Sequence, residues 1–490
     1  MTPQPLRRTK ILATLGPATD AEGVLDDLVR AGVNVVRLNF SHGKPADHEA
    51  RIRAVREAAR RQGREVGILA DLQGPKIRIE TFAAGKVQLR VGDAFDLVCR
   101  ADAPPGDESR VGVSYLGLVG DVVVGDVLLL DDGLMALRVD GIEGEVVHTR
   151  VLTDGALSNR KGLNRLGGGL SLGALTDQDK EHIRIAAAFG VDFLAVSFCR
   201  SAEDMHEARR LAAEAGGKSI ALVAKIERAE AIANLVEITI ASDAVMVARG
   251  DLGVEIGDAE LPGLQKKIIR TALEHNRVVI TATQMLQSMV DNPIPTRAEV
   301  LDVANAVIDG TDAVMLSAET ASGNHPVKSV EAMVRICLGA ERQFERRDDF
   351  SAAARNLERA DEAIAMASMF LAEHVDVRAI IALTESGGTA RFLSRFRSEA
   401  PIFALSRHDG ARRQMALMRD VYPIDFDSRG LATREAARTA IRQLFGLELL
   451  SEGDRVLITG GDHMERHGST NTLRLLQVGS GGVAQGLGEL

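Results

Sequence analysis

The sequence predicts an α/β protein: a (β/α)8 TIM barrel with an inserted small β-barrel lid domain and a C-terminal α/β domain. Eight short β-branched, apolar runs alternate with segments of helical periodicity, which is typical of a parallel sheet covered by helices. The alternation stops between residues 76 and 165, where short strand-like runs follow one another. A new α/β pattern begins near residue 346 and continues to the end of the chain.

The eight apolar runs are the expected barrel strands. They are Ile11–Leu15, Val33–Leu38, Val66–Ala70, Phe193–Val196, Ile220–Ala224, Ala244–Ala248, Val278–Ala282 and Ala313–Leu316. The helical segments are Asp20–Ala31, Asp47–Gln62, Asp177–Phe189, Ala202–Ala215, Pro262–Asn276 and Thr296–Ile308. We expect Asp20, Asp177 and Thr296 to be N-caps because their side chains accept hydrogen bonds from exposed helix amides. Eight units in about 250 residues match a closed barrel, and an open doubly wound sheet is the alternative.

Three domains follow from these patterns. The predicted ranges are 1–70 with 165–345 for the barrel, 71–164 for the inserted β lid domain and 346–490 for the C-terminal α/β domain. Expected lid strands are Lys86–Arg90, Ala94–Cys99, Val122–Leu130, Leu134–Val139 and Glu145–Val151. Expected C-terminal elements are the helix Ser351–Asp376 and the strands Ala379–Thr384, Pro401–Ser406 and Arg455–Thr459. Barrel active sites lie at the strand C-termini, so an insertion there is placed to close over the site.

Composition excludes several classes of function. The 490 residues include 59 Lys and Arg against 69 Asp and Glu, and this net charge of −10 argues against nucleic-acid binding. No apolar run reaches the ~20 residues that span a bilayer, and the start of the chain lacks a hydrophobic signal segment. We therefore expect a cytoplasmic protein with no nucleic-acid or membrane partner. The three cysteines are widely spaced, which favours buried free thiols.

Polar side chains follow nearly every predicted barrel strand. These are Thr14, Arg37 to His42, Asp71, Lys225 with Glu227, Arg249 to Asp251, Thr283 with Gln284, and Ser317 with Glu319. In a barrel, all of them converge on one mouth. Packing alone does not explain charges and hydroxyls at so many strand ends, so the sequence predicts an active site there.

The charges at these strand ends indicate the substrate class. Glu227 and Asp251 come from adjacent strands and offer the hard oxygen ligands that Mg²⁺ prefers, although ion pairs with Lys225 or Arg249 are the alternative. Arg37, Lys225 and Arg249 bring positive charge to the same region. Cations beside a Mg²⁺ site indicate an anionic, phosphorylated substrate.

Seven motifs in this order and spacing closely resemble the pyruvate kinase family. They are RRTKILATLGPAT, VVRLNFSHG, ADLQGPKIR, ALVAKIE, MVARGDLGVEI, TATQMLQSM and DAVMLSAETASG. The resemblance extends from Arg7 to the GSTNT at 468–472 and indicates a bacterial-type chain. It implies Mg²⁺-dependent (or Mn²⁺-dependent) phosphoryl transfer from phosphoenolpyruvate to ADP, giving pyruvate and ATP. It also implies a homotetramer.

By the same resemblance, Glu227 and Asp251 hold the metal, and Lys225 stabilises the phosphoryl group in flight. Arg37 is similar to the family's phosphate-binding arginine. Gly250 and Asp251 meet the substrate carboxylate through backbone amides, and Thr283 lies where the enolate is protonated. Ser317 and Glu319 either join that proton relay or hold structural hydrogen bonds.

The resemblance places the nucleotide at Asn39, His42, Arg78 and Lys161. For the last three residues, a solvated hinge charge or a structural hydrogen bond is the alternative. Arg78 and Lys161 lie at the two ends of the inserted domain, so this assignment puts the lid next to the nucleotide.

One departure concerns the monovalent cation. Many family members bind K⁺ at the positions of Asn39, Ser41, Asp71 and Leu72, and carry glutamate where this chain has Lys76. We expect the Lys76 ammonium to replace K⁺, because two such charges about 4 Å apart repel by ~4 kcal/mol at an effective dielectric constant of about 20. The sequence therefore predicts no K⁺ requirement, whereas a solvent-facing Lys76 would leave K⁺ bound.

A glycine-rich loop in the C-terminal domain is the expected effector site. Its candidate residues are Thr384, Ser386, Gly387, Gly388 and Thr389, between a strand and a helix. Hydroxyls, glycines and a helix N-terminus can hold a phosphate, and the family binds a sugar-phosphate or nucleotide activator here. The loop Gly460–Thr472 is placed to close over it.

Two other functions are alternatives to phosphoryl transfer. A Mg²⁺-dependent TIM-barrel lyase of pyruvate-like acids would share the carboxylates and an arginine, but it would need neither the lid nor ADP. A non-catalytic effector-binding homologue would be expected to lack Lys225, Glu227, Asp251 or Thr283, and all four are present.

Overall fold

A computed structural model describes residues 6–343, 357, 359–396, 398–461 and 468–486. The chain begins with the first part of the barrel. Its elements are β1 (Lys10–Thr14), α1 (Val24–Ala31), β2 (Val35–Asn39), α2 (Pro45–Arg61) and β3 (Gly67–Asp71). All five residues of β1 and of β3 are buried, as expected for strands with a helix layer outside and a packed barrel interior.

The inserted segment forms two antiparallel-rich sheets around one core. Its elements are β4 (Lys86–Leu89), β5 (Ala94–Val98), β6 (Arg110–Gly112), α3 (Leu118–Asp121), β7 (Val127–Leu130), β8 (Met135–Glu143), β9 (Val146–Val151), β10 (Gly155–Ser158) and β11 (Leu163–Arg165). Six strands pair in the order β11-β7-β8-β9-β5-β6, and β10 pairs with β4. Phe95, Leu97 and Leu137 are fully buried in the shared core. The expected small β domain thus has two sheets, and isolated bridges pair Arg78, Ile79 and Phe82, which precede β4, with other residues of the insertion.

The chain then returns to the barrel and completes it. The elements are α4 (Asp177–Ala188), β12 (Phe193–Val196), α5 (Ala202–Glu214), β13 (Ala221–Ile226), α6 (Ala229–Ala233), α7 (Leu235–Ala241), β14 (Ala244–Ala248), α8 (Arg249–Ile256), α9 (Leu261–Glu274), β15 (Val278–Ala282), α10 (Arg297–Asp309), β16 (Ala313–Leu316), α11 (Ala318–Ala321) and α12 (Pro326–Arg342). Eight parallel strands close in the order β1-β16-β15-β14-β13-β12-β3-β2. The barrel prediction is confirmed, and the open-sheet alternative is wrong.

The C-terminal domain is a mixed sheet with helices. Its elements are α13 (Ala360–His374), β17 (Ala379–Leu383), α14 (Gly388–Leu393), β18 (Ile402–Ser406), α15 (Asp409–Met415), β19 (Val421–Asp425), α16 (Thr433–Gly446), β20 (Arg455–Gly461), β21 (Thr470–Val478) and β22 (Ala484–Gln485). The sheet order is β19-β18-β17-β20-β21-β22. The three predicted strands are present, and most of residues 351–358 of the predicted first helix lie outside the described residues.

Helix starts agree with the sequence only in part. Thr296 caps α10, where its hydroxyl accepts from Glu299 N at 3.3 Å and its own N–H donates to the Glu299 carboxylate at 2.8 Å. Asp177 is the first helical residue of α4, and the cap is Thr176, which accepts from Asp179 N. Asp20 is also not a cap, because its carboxylate binds Arg51 instead and α1 starts four residues later.

The C-terminal domain covers the N-terminal ends of the barrel strands. Leu12 and Val278 of the barrel share one apolar cluster with Met415 and Leu417 of the C-terminal domain, and Lys10 Nζ donates to Val421 O at 2.6 Å. The strand C-termini therefore face the inserted segment. The domain boundaries themselves stay predictions. Among the described residues, no helix combines the length and the apolar character needed to cross a bilayer.

Candidate active site at the barrel mouth

Lys225 is at the centre of the mouth. Its side chain comes from β13, is 12% exposed, and contacts one hydroxyl group and two carboxylates. Its Nζ lies 2.9 Å from Glu227 Oε1, 3.3 Å from Asp71 Oδ1 and 2.7 Å from Ser197 Oγ. Lys225 and Glu227 are two residues apart, so both side chains point the same way from the strand. The strand ends of β3, β12 and β13 therefore meet at one buried ammonium.

Arg37 completes the cationic side of the mouth. Both its Nε and Nη2 atoms lie 2.6 Å from Asp71 Oδ2, and Nη1 lies 3.2 Å from Thr14 Oγ1. Asp71 is 1% exposed, so its charge depends on these partners. The predicted cluster of polar strand ends from β1, β2, β3 and β13 is present in the structure.

The titration of the buried groups follows from their neighbours. Burial disfavours the charged form of Lys225, but Asp71 and Glu227 outweigh this effect and raise the pKa of Lys225 above its usual value. Burial likewise disfavours the Asp71 carboxylate, but Lys225 and Arg37 outweigh it and hold the pKa of Asp71 below its usual value. The mouth therefore holds two fixed cations around a charged carboxylate.

Glu227 and Asp251 form a second, carboxylate-rich side. Burial raises the pKa of Glu227 above its usual value, and the repulsion of Asp251 adds to this effect. The attraction of Lys225 opposes it but does not outweigh it. Asp251 lies in the first turn of α8 and pairs with Lys76 Nζ at 2.9 Å. Two mutually repelling carboxylates fit a divalent cation that takes its other ligands from water and substrate. Within the described part of the chain, no group of three or more His, Cys, Asp or Glu side chains forms a protein-only metal cage.

Thr283 and Gly250 contact each other across the ends of β15 and β14. Gly250 N donates to Thr283 Oγ1 at 2.9 Å, and Thr283 Oγ1 donates to Ala282 O at 2.6 Å. Thr283 has φ 68° and Gln284 has φ 53°, which is unusual for residues other than glycine. Strained backbone of this kind persists where the surrounding structure holds it, and it concentrates at functional sites.

Arg249 does not add free charge to the mouth as the sequence suggested. Its side chain is 9% exposed, and its guanidinium donates to Thr283 O at 2.6 Å and to Asp302 Oδ1 at 2.7 Å. The arginine instead braces the strained turn at Thr283. The Glu319 carboxylate accepts from the backbone N–H groups of Leu286 and Ser317 at 3.0 and 2.7 Å, which is compatible with the structural alternative for this residue.

Lys76, the expected substitute for the monovalent cation, pairs with Asp251 Oδ1 at 2.9 Å, and its role in place of K⁺ stays a prediction. The oxygens of the expected K⁺ site have other partners: Asn39 Oδ1 accepts from Ser41 N at 3.1 Å, and Leu72 O accepts from Ser197 Oγ at 2.7 Å. The charge beside Asp71 comes from Arg37 and Lys225 instead. The Lys76 ammonium lies 2.9 Å from the Asp251 carboxylate and 4.0 Å from the Asp132 carboxylate of the lid. Two opposite charges therefore surround it on this side of the mouth.

The expected nucleotide residues lie on both sides of the mouth. Lys161 Nζ pairs with Asp131 at 2.8 Å, and Arg78 donates to Arg160 O at 3.0 Å, so both belong to the lid side. Asn39 ends β2 and His42 follows in the exposed turn beyond it.

The loop between β17 and α14 opens onto a cavity of about 280 Å³. Thr384 Oγ1 accepts from Gly387 N at 3.0 Å, and Thr389 Oγ1 lies 2.6 Å from Thr470 Oγ1. Ser386 and Gly388 also line the cavity, together with Arg359 and Arg391. These two arginines were not predicted as site residues, because each is an isolated cation in an ordinary helical context. Residues 462–467 of the predicted closing loop lie outside the described residues.

The end of β12 was also missed. Ser197, Phe198 and Cys199 follow this strand and all contact Lys225 or Glu227. Apart from the serine hydroxyl, the residues read as a continuation of an apolar strand, so the sequence offered little signal.

A closed (β/α)8 barrel with cations and paired carboxylates at its mouth, an inserted lid and a separate α/β domain defines a barrel phosphotransferase. The family model "Pyruvate kinase, barrel domain" matches residues 6–330, and "Pyruvate kinase, alpha/beta domain" matches residues 362–476. The chain belongs to the pyruvate kinase family, which confirms the resemblance seen in the sequence motifs.

Full-length relatives agree with this assignment. The chain is 54% identical to pyruvate kinase II of Salmonella typhimurium over 477 residues, covering 96% of this chain and 99% of the relative. It is 51% identical to the pyruvate kinase of Haemophilus influenzae with the same coverage. The crystal structure of a pyruvate kinase from Cryptosporidium parvum superposes with a TM-score of 0.90 at 32% identity, covering 96% of each chain.

Proposed function

We propose that the mouth transfers the phosphoryl group of phosphoenolpyruvate to ADP with Lys225 as the central electrostatic group. The observation that carries this proposal is the buried, charged Lys225 ammonium held between Asp71, Glu227 and Ser197. In phosphoryl transfer, negative charge spreads over the equatorial oxygens, so a fixed cation beside them lowers the barrier.

Arg37 and the turn at Gly250 position the substrate. Arg37 binds the phosphate of phosphoenolpyruvate, and the amides of Gly250 and Asp251 at the start of α8 bind its carboxylate. The bond between phosphorus and the enol oxygen breaks as an ADP oxygen bonds to phosphorus. The resulting enolate takes a proton at carbon beside Thr283, whose strained turn is braced by Arg249.

Glu227 and Asp251 would hold Mg²⁺ or Mn²⁺. The cation would neutralise phosphoryl charge and polarise substrate oxygens when bound. Burial is the main cause of the raised pKa of Glu227, and the nearby Asp251 carboxylate adds to it; a divalent cation would stabilise both carboxylates. Lys76 partly compensates this charge through Asp251 in the structure described above.

ADP binds on the lid side of the mouth. Arg78 and Lys161 contact its phosphates, and Asn39 and His42 border the same space from the end of β2. Lys161 now pairs with Asp131, so nucleotide phosphates would take over this contact. The lid would then cover the nucleotide and exclude water from the transfer.

We further propose that the reaction does not require K⁺. Lys76 adds a permanent cation at the mouth, and Arg37 and Lys225 already compensate Asp71, which is one of the four expected K⁺ ligands. This supports a chain that provides its own positive charge, with Lys76 held beside Asp251.

The cavity beside Thr384 is the proposed effector site. Its hydroxyl groups and the arginines Arg359 and Arg391 suit the phosphate of a sugar phosphate or nucleotide. Burial lowers the pKa of Arg391 to about 10, and its Nε has no hydrogen-bond partner in the described part of the chain. An anionic ligand would supply that partner.

We also propose a cytoplasmic homotetramer, as the family resemblance implies. Three large apolar side chains on or beside α10 are exposed, namely Ile294 at 69%, Leu301 at 65% and Ile308 at 45%. Such a patch is typical of a surface that a second copy covers. The substrates belong to glycolysis, which runs in the cytoplasm.

Phosphorus NMR tests the reaction against its rivals. With Mg²⁺, we expect the phosphoenolpyruvate signal to disappear only after ADP is added, and the γ-phosphate signal of ATP to grow at the same rate. Consumption without ADP would contradict the proposal and favour the lyase. Unchanged phosphoenolpyruvate with ADP and with fructose 1,6-bisphosphate, glucose 6-phosphate or AMP present would favour the non-catalytic effector binder.

A further inference from the structure

The three consecutive residues 197–199, which follow β12, contact the end of β13 at Lys225 and Glu227. Ser197 Oγ accepts from Lys225 Nζ at 2.7 Å, and Phe198 N donates to Glu227 Oε2 at 2.9 Å. Cys199 Sγ lies 3.3 Å from Lys225 O. One short segment therefore contacts the ammonium, the carboxylate and the backbone of the same strand end.

The backbone of this segment is unusual, and its surroundings hold it in place. Phe198 has φ 55° and is 8% exposed, which is rare for a bulky side chain. Gly74 packs so closely that an added Cβ would lie 2.7 Å from the Phe198 ring and 2.9 Å from Ser197 Cβ. The left-handed turn lets the Ser197 side chain and the Phe198 amide point towards the same site.

The direction of the hydrogen bonds at Ser197 is determined by its partners. The Lys225 ammonium can only donate, so the serine oxygen accepts from it. The hydroxyl proton then goes to Leu72 O at 2.7 Å, because the alternative acceptor, Asp71 Oδ1, is 3.5 Å away. Ser197 is 1% exposed, so water does not replace either bond.

We propose that Ser197 is a positioning residue that fixes the orientation of the Lys225 ammonium for phosphoryl transfer. The ammonium donates a hydrogen bond to Ser197 and forms ion pairs with Glu227 and Asp71. Ser197 is the only uncharged acceptor among these three. A phosphoryl group that arrives at the mouth competes with the carboxylates for the ammonium, whereas the bond to Ser197 keeps Nζ in place. This inference rests on the proposed role of Lys225.

The test is the variant Ser197→Ala, with Ser242→Ala as a matched control. Ser242 is also 1% exposed and also donates to a backbone carbonyl, Ile238 O at 2.7 Å, but it lies before β14 at the opposite end of the barrel. We expect Ser197→Ala to lower kcat by about 10- to 100-fold, because lost positioning of a catalytic group typically costs this much. We expect Ser242→Ala to keep kcat within about 2-fold.

Two further measurements separate positioning from a loss of structure. Phosphoenolpyruvate binding, measured by titration calorimetry with Mg²⁺ and no ADP, should change by less than about 3-fold in Ser197→Ala. Ser197→Thr, which keeps the hydroxyl, should recover most of the lost kcat. The proposal is overturned if Ser197→Ala keeps kcat within about 2-fold, or if kcat and phosphoenolpyruvate affinity fall together. A fully active Lys225→Met would instead overturn the proposed function.

Discussion

Replacement of Lys225 by methionine is expected to lower kcat by about 10³-fold or more. The ammonium is a preorganised cation in a buried site, and groups of this kind that stabilise charge in flight are worth about 10²–10⁵ in rate. Methionine has a similar length but no charge, so Asp71 and Glu227 lose their shared partner. Steady-state kinetics with phosphoenolpyruvate, ADP and Mg²⁺ measures the effect.

Two companion variants make this result specific. Lys218 is exposed just before β13, so Lys218→Met removes a lysine near the other end of the same strand and should leave kcat unchanged. Lys225→Arg keeps the positive charge but replaces a compact ammonium with a planar guanidinium. It should fold, as judged by its melting temperature, and still be slow. Activity of Lys225→Met comparable to that of Lys218→Met would rule out the assigned role.

Among the substitutions proposed here, replacement of Arg395 by methionine should cause the largest decrease in the free energy of unfolding. Arg395 follows α14, is 3% exposed, and donates to Asp312 just before β16, which is 1% exposed. Nη1 also donates to Arg277 O at 2.6 Å. The variant leaves a buried carboxylate without its counter-ion, and loss of one partner of a buried pair costs about 3–5 kcal/mol. The free energy of unfolding in urea should fall by that amount.

A local measurement shows where this stability is lost. Asp312 also accepts from the backbone N–H groups of Val279 and Arg419, both at 2.9 Å. Their hydrogen exchange should accelerate in Arg395→Met. The control Arg438→Met removes an exposed pair with Glu435 at 3.9 Å, which is worth at most about 1 kcal/mol. Equal destabilisation by both variants would show that the buried pair does not hold the two domains together.

The sequence predicted the barrel well because its strands carry a strong, local signal. Runs such as Ala244–Ala248 and Val278–Ala282 are continuous, apolar and flanked by helices, and the structure has strands with these bounds. Strands β19 and β21 gave weaker signals. The segment Val421–Asp425 contains a proline, and Thr470–Val478 is half polar, so neither has a continuous apolar pattern.

The sequence indicated which strand ends meet at the mouth but not which side chains pair there, and the roles of the site residues stay predictions. Strand order alone brings Asp71 and Lys225 to one mouth. The partner of Lys76, by contrast, depends on how the insertion places it beside Asp251, and the role of Arg249 depends on the strained turn at Thr283. Sequence periodicity carries no information on a left-handed residue such as Phe198.

The most direct test of the account is the initial rate of pyruvate formation from phosphoenolpyruvate and ADP with Mg²⁺ in potassium-free buffer, before and after K⁺ is added. In the proposed mechanism, the side chains of Arg37, Lys76 and Lys225 supply the positive charge that K⁺ would otherwise provide at the barrel mouth. This mechanism predicts the same rate in both buffers, and a lower potassium-free rate in Lys76→Glu, because this substitution replaces a cation at the mouth with a carboxylate that faces Asp251. A wild-type rate that rises about 10-fold or more with K⁺, or no pyruvate in either buffer, would contradict it.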